Sequence, residues 1–162
     1  MRDFVFLDGF QKPTLAVLYS PELTWTGSLS RTRQTMRVCL VTLDVSVARY
    51  PATVTSAPLP YDVLYLVACP AALGGVLLVT PSALLHLDQT ARLVGVGVNA
   101  CLSRTSDLSL PMYTEAGDLD LRDSQLAFTG SADAQLFLRD GRVFNVHCAL
   151  EGRSVTSITP VS

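Results

Sequence analysis

The sequence predicts an all-β protein built from antiparallel four-stranded blades of a divergent β-propeller, and three observations carry that expectation. Two short apolar runs, Phe4–Leu7 and Leu15–Tyr19, flank Asp8-Gly9 and Pro13. Their β-branched and aromatic content is the grammar of paired antiparallel strands joined by a short loop. The same grammar returns twice more, with units starting about 58 residues apart near Asp3, Tyr61 and Leu119, the kind of recurrence that marks propellers and other repeat arrays. Helical periodicity is hard to find, because Pro and Gly interrupt most candidate stretches.

Taken in order, the first unit places strands at Phe4–Leu7, Leu15–Tyr19 and Val38–Asp44, followed by a polar, Pro-containing stretch from Arg49 to Pro60. The second restarts at Tyr61–Ala68 and continues with Val76–Val79, Ala83–Leu87 and Leu93–Val98. The third has strands around Gln125–Thr129, Gln135–Leu138 and Val143–Ala149, with Val155–Thr159 as a last one. The chain thus divides into blades at approximately residues 1–60, 61–118 and 119–162, about three blades of an incomplete ring. Gly74-Gly75 precedes the second strand of unit two, and Asp140-Gly141 predicts a two-residue hairpin turn with positive φ angles. The period exceeds that of the usual WD-type repeat, and no Trp-Asp dipeptide occurs.

Several strands are apolar on both faces. In unit two Val63, Tyr65 and Val67 alternate with Leu64, Leu66 and Ala68, so both faces need cover. A sheet with one wet face alternates apolar and polar residues instead, which sets a β-sandwich second to stacked blades. Three blades do not close a ring. The expectation is therefore two open apolar blade faces, and a chain that is part of a longer propeller or is completed by a partner rather than a stable monomer.

The chain has 162 residues, 49% hydrophobic and 16% charged, with a net charge of −2. That suits a well-buried domain rather than a disordered one. No apolar run approaches the roughly 18 residues of a membrane helix, and no signal-peptide pattern follows the N-terminal Met-Arg-Asp-Phe. An intracellular protein with no membrane partner is the expectation. The 12 basic residues include a single lysine, Lys12. Arg31, Arg33 and Arg37 cluster, but no acid-free basic face accompanies them, so they read as a solvated hairpin loop rather than a phosphate-binding surface. The four cysteines, Cys39, Cys69, Cys101 and Cys148, are widely spaced and read as reduced structural thiols.

No catalytic constellation or cofactor motif emerges. Gly95-Val-Gly97-Val-Asn-Ala100 fits a loose dinucleotide pattern, yet its glycines lie inside a β pattern with no helix after them. They read as glycines that relieve crowding at an outer strand. His86 and His147 lack zinc-ligand neighbours, and with only these two histidines a Ser–His hydrolase is disfavoured. Asp118 and Asp120 near Glu115 lack calcium-loop spacing and read as a solvated turn. No G-x-S-x-G elbow occurs. The chain reads as a non-enzymatic scaffold with no metal or cofactor. The exposed-loop candidates for partner contact are Arg31–Arg37 and Arg104–Gly117, with no individual residue singled out.

The opening Phe4–Tyr19 with Trp25-Thr-Gly27 resembles the first β-propeller of the largest-subunit family of the cleavage and polyadenylation specificity factor. Pro58-Leu-Pro-Tyr-Asp62, Leu73-Gly-Gly-Val-Leu-Leu78, Leu84-Leu-His-Leu-Asp-Gln89 and Gly95-Val-Gly-Val-Asn99 resemble it in the same order. The architecture is shared with the large DNA-damage-binding protein and a spliceosomal propeller subunit. Trp25, Gly27 and Leu59-Pro-Tyr-Asp62 are closer to the polyadenylation branch. The resemblance implies a nuclear scaffold of the pre-mRNA 3′-end cleavage and polyadenylation complex. Its partners would be zinc-finger and WD-repeat subunits, and pre-mRNA would be reached mostly through them. The alternative is a propeller adaptor of a cullin ubiquitin ligase, as the damage-binding cousin implies. The chain covers only part of one propeller of that family.

Overall fold

The computed structural model describes residues 1–161. Twelve strands form three four-stranded antiparallel sheets. Sheet 1 contains β1 (Asp3–Leu7), β2 (Thr14–Tyr19), β3 (Arg37–Thr42) and β4 (Ala52–Thr55). Sheet 2 contains β5 (Tyr65–Ala68), β6 (Val76–Val79), β7 (Ala83–Leu87) and β8 (Leu93–Gly97). Sheet 3 contains β9 (Gln125–Phe128), β10 (Asp133–Phe137), β11 (Val143–Cys148) and β12 (Val155–Pro160). Each sheet is a meander in which every strand pairs with its neighbour in sequence. The sheets do not close on one another. This is the arrangement of consecutive propeller blades expected from the sequence.

Alternation in sheet 2 builds the core. Val76 and Leu78 of β6, with Ala83, Leu85 and Leu87 of β7, pack toward Ala16, Leu18, Val38 and Leu40 of sheet 1. Leu77, Val79 and Leu84 point the other way, toward Leu126, Leu136, Phe144, Val146 and Ile158 of sheet 3. Successive residues therefore serve two different cores, and β6 and β7 are buried along their whole length. At about 25 cal/mol per Å2 of apolar surface, such two-sided burial is the dominant stabilising contribution.

The structure departs from the sequence reading in four places. The stretch from Arg49 to Pro60 contains β4, which pairs with β3 through a bulge between Leu40 and Val41. Tyr61 and Asp62 form a turn, and β5 begins only at Tyr65. Two single helical turns, α1 (Thr26–Leu29) and α2 (Leu102–Thr105), lie in connections that read as irregular. The Asp140-Gly141 hairpin has a three-residue loop rather than a two-residue one. The Gly141 N–H donates to the Leu138 carbonyl at 3.0 Å, the Leu138 N–H donates to the Arg142 carbonyl at 2.9 Å, and only Gly141 has positive φ, at 87°. That is a type I turn closed by a left-handed residue.

The expectation of two open apolar faces needs correcting. The outward face of sheet 1 is apolar, carrying Phe4 and Phe6 of β1, Leu15 and Val17 of β2, and Cys39 and Val41 of β3 in cross-strand register. The outward face of sheet 3 is mostly polar. Asp133, His147 and Ser157 stand in one row, Gln135, Asn145 and Thr159 in the next. The stack is apolar on its outward face at one end and mostly polar at the other, where Phe137 and Val143 form an apolar row beside the polar ones.

Candidate functional site

The first strands of the three sheets converge. β1 lies beside β5, where the Asp3 carboxylate accepts a hydrogen bond from the Leu66 N–H at 2.8 Å. Val5 of β1, Tyr65–Ala68 of β5 and Gln125–Ala127 of β9 line one shallow groove of about 550 Å3. The Tyr65 hydroxyl lies 3.1 Å from Ser124 Oγ at the approach to β9. The inner edges of the blades thus face a common axis, the place a propeller channel occupies. On the far side of the stack, Arg153 of the β11–β12 turn reaches within 3.6 Å of Asp88, tying sheet 3 to sheet 2.

A second cleft, of about 500 Å3, opens where the β4–β5, β6–β7 and β8–β9 connections meet. It is lined by Tyr61-Asp62, Pro81-Ser82, Asn99–Cys101 with Arg104-Thr105, and residues 118–122. The Asn99 amide donates to the Pro81 carbonyl at 3.0 Å and the Leu119 carbonyl at 2.6 Å, clamping two of these walls together. Both Asp62 carboxylate oxygens are sealed from solvent with no hydrogen-bond partner. Burial pushes the Asp62 carboxyl pKa up, opposed by the neighbouring Thr105 hydroxyl. At the cleft's rim Arg122 bonds Asp120, and that pairing holds the Asp120 carboxyl below its ordinary range.

The residues weighed in the sequence fall into place individually. Arg33 donates to the Ser103 carbonyl at 3.0 Å and lies 3.6 Å from Asp107. Arg37 is on β3 and donates to the Ser56 carbonyl at 3.1 Å. The cluster spans the connection of the antiparallel β2–β3 hairpin, where Arg31 is exposed and Arg33 and Arg37 tie neighbouring segments together, and the connection also contains the helical turn α1. The Arg104–Gly117 connection adds a parallel bridge from Met112 to Gly97 along the outer edge of β8. A Cβ on Gly97 would overlap the Met112 sulfur, and one on Gly95 would sit 2.7 Å from the Leu84 carbonyl oxygen, so crowding explains both glycines.

His86 is buried, with Nε2 2.7 Å from the Gly74 carbonyl oxygen, and burial lowers its pKa. His147 is exposed, its Nδ1 2.6 Å from Asp133 Oδ1 on the polar face of sheet 3. Asp118, Asp120 and Glu115 do not converge, and among the described residues no group of three or more His, Cys, Asp or Glu is placed to hold a metal ion. All four cysteines are free thiols, but they are not alike. Cys69 and Cys148 are buried, Cys39 is half-buried on the outward face of sheet 1, and Cys101 is exposed in the second cleft.

No protein-family model matches the chain. Curated relatives do match, and along almost its entire length. Protein cft1 of Schizosaccharomyces pombe is 35% identical over 162 residues, covering 97% of this chain and 11% of that protein. The chain is similar along nearly its whole length to one segment of the Cft1 proteins. Protein cft1 of Aspergillus fumigatus is 33% identical over 95% of the chain, and Protein CFT1 of Yarrowia lipolytica is 28% identical over 98% of it. The chain spans 11% to 13% of the length of these Cft1 relatives. Similarity spread over all three sheets, rather than confined to one motif, ties the Cft1 relationship to the whole blade array.

Proposed function

We propose that this chain is a non-enzymatic scaffold segment of the pre-mRNA 3′-end cleavage and polyadenylation complex, acting in the nucleus. The observation that carries the reading is the near full-length similarity to one segment of the Cft1 proteins. It agrees with the resemblance to the largest-subunit family of the polyadenylation specificity factor. The physical character of the chain supports it. Stacked sheets present broad faces and connecting loops to other proteins, which suits a platform for subunits. The partners proposed are the zinc-finger and WD-repeat subunits that recognise the polyadenylation signal. Pre-mRNA contact is mostly indirect, in keeping with a net charge of −2 and arginines engaged by their own chain.

A tagged pull-down of the endogenous product, read by mass spectrometry, tests this. Polyadenylation subunits at stoichiometric abundance are the expected result. A cullin in their place overturns the proposal in favour of a ligase adaptor, and a product with neither set of partners overturns the scaffold role.

A further inference from the structure

A cavity of about 210 Å3 lies where the β7–β8 turn of sheet 2 meets the β11–β12 turn of sheet 3. Its walls are His86, Asp88, Arg92 and Val94 from one sheet and Gly152 and Arg153 from the other. Both walls belong to this chain, and Val94 is the one apolar side chain among them. We propose that this cavity binds inorganic phosphate in its monohydrogen form, with Arg92 and Arg153 engaging the charged oxygens and Asp88 accepting the hydrogen bond of the P–OH group.

Three features select that ligand. First, the cavity is cationic in a chain of net charge −2, since two arginines and one carboxylate line it. Among the described residues Arg92 forms no ion pair. Guanidinium groups are fork-shaped donors that match the oxygens of a tetrahedral anion. Arg153 reaches the cavity from φ 55°, a left-handed conformation uncommon for a residue with a Cβ. Second, Asp88 is 8% exposed yet keeps acceptor capacity. Its Oδ1 accepts from the Thr90 N–H and hydroxyl at 2.7 Å and from the Arg92 N–H at 2.9 Å. Its Oδ2 has only Arg153, at 3.6 Å. Burial opposes ionisation of Asp88, but the bonds from Thr90 and Arg92 and the Arg153 charge hold its pKa below the ordinary range. It is therefore a carboxylate at neutral pH. A fully ionised anion meets repulsion there, whereas an anion carrying a hydroxyl donates to it. Third, His86 is also short of a donor. Its Nε2 lies 2.7 Å from the Gly74 carbonyl oxygen and so carries the proton, which leaves Nδ1 an acceptor with no partner. The site combines cations with unsatisfied acceptors. Hydrogen phosphate answers both, and sulfate answers only the first. The inference concerns the junction of sheets 2 and 3 and does not depend on the polyadenylation reading.

The full chain is titrated by calorimetry at pH 7.5 and fixed ionic strength with sodium phosphate, sodium sulfate and O-phosphoserine. The expected result is one phosphate site with a dissociation constant at or below about 1 mM. Sulfate should bind at least about tenfold more weakly. O-phosphoserine, whose phosphoryl group is almost fully ionised at that pH, should also bind at least about tenfold more weakly. Arg92→Gln and, independently, Arg153→Gly are expected to weaken phosphate binding at least about tenfold. Arg153→Gly also relieves the left-handed backbone. Its melting temperature without phosphate should equal or exceed that of wild type, which separates loss of the site from loss of the fold. Asp88→Asn should abolish the preference for phosphate over sulfate, because an amide donates as well as accepts. No phosphate binding up to about 10 mM, equal affinity for sulfate or O-phosphoserine, or unchanged affinity in both arginine variants would overturn the proposal.

Discussion

A carboxylate sealed from water with no bonded partner favours its protonated form, and Asp62 is in that position. Its folded-state pKa lies above the ordinary value near 4. Between those two values the folded chain holds a proton that the unfolded chain has released, so stability falls as pH rises through the window. Asp62→Asn removes that dependence. The expected outcome is a flatter melting-temperature profile between pH 4 and 8 and a higher melting temperature than wild type at pH 7.5. A wild-type profile already flat across the window would refute it. The thiols give a second residue-scale prediction. Burial, aided by the nearby Cys148, pushes Cys69 up to about 12. Burial together with Asp133 pushes Cys148 to about 11. Thiolate is the reactive form, so native chain at pH 8 should show one fast thiol, Cys101, and a slower Cys39. Cys69 and Cys148 should react only after denaturation. The sequence showed four free cysteines but could not rank them, because Cys69 and Cys101 both sit in connections and only packing separates them. Asp62 was equally opaque, since its apolar neighbours in sequence read as a strand and the hydroxyl that faces it, Thr105, lies more than forty residues away.

Two hairpins use the same turn with different residues at the strained position. In the β7–β8 hairpin the Ala91 N–H donates to the Asp88 carbonyl and the Asp88 N–H to the Arg92 carbonyl. Ala91 takes φ 65°, where Gly141 stands in the β10–β11 hairpin. The left-handed region is costly for a residue with a Cβ. Ala91→Gly is expected to stabilise by about 0.5 kcal/mol, and Gly141→Ala to destabilise by about 1 kcal/mol, measured by urea unfolding. On β8, Gly95→Ala should cost about 2–3 kcal/mol through overpacking, because the new methyl would press on Leu84 and Leu85. Strands with apolar alternation or apolar runs, such as β2, β6, β7 and β11, were legible within a residue or two. β4 was not, because Ala52–Thr55 is an exposed edge strand between prolines and carries no burial pattern. The helical turns escaped for a related reason. Four residues without a capping side chain leave no periodic trace.

At the scale of the molecule, sheet 2 is the keystone between two cores, and its interior should be the least tolerant part. Leu78→Ala removes a fully buried side chain and is expected to cost about 3–4 kcal/mol. Val17→Ala on the outward face of sheet 1 should cost less than about 1 kcal/mol in the same assay. A similar cost for both would contradict the packing described. The blade architecture was readable because meander sheets place sequence neighbours together. The polarity of the outer face of sheet 3 is written in the alternation of Asp133–Phe137 and Val143–Cys148, in contrast to the doubly apolar strands of sheet 2. The hydrophilic outer face of sheet 3 also bears on how the chain is made. Synthesis delivers sheet 1 first, and the surface it exposes is the one most prone to stick. Sheet 2 then covers its inner side, and sheet 3 follows with an outward surface that is mostly polar. Among these three sheets the hazard of a nascent, unfinished stack is thus concentrated in the first, and the third adds little to it.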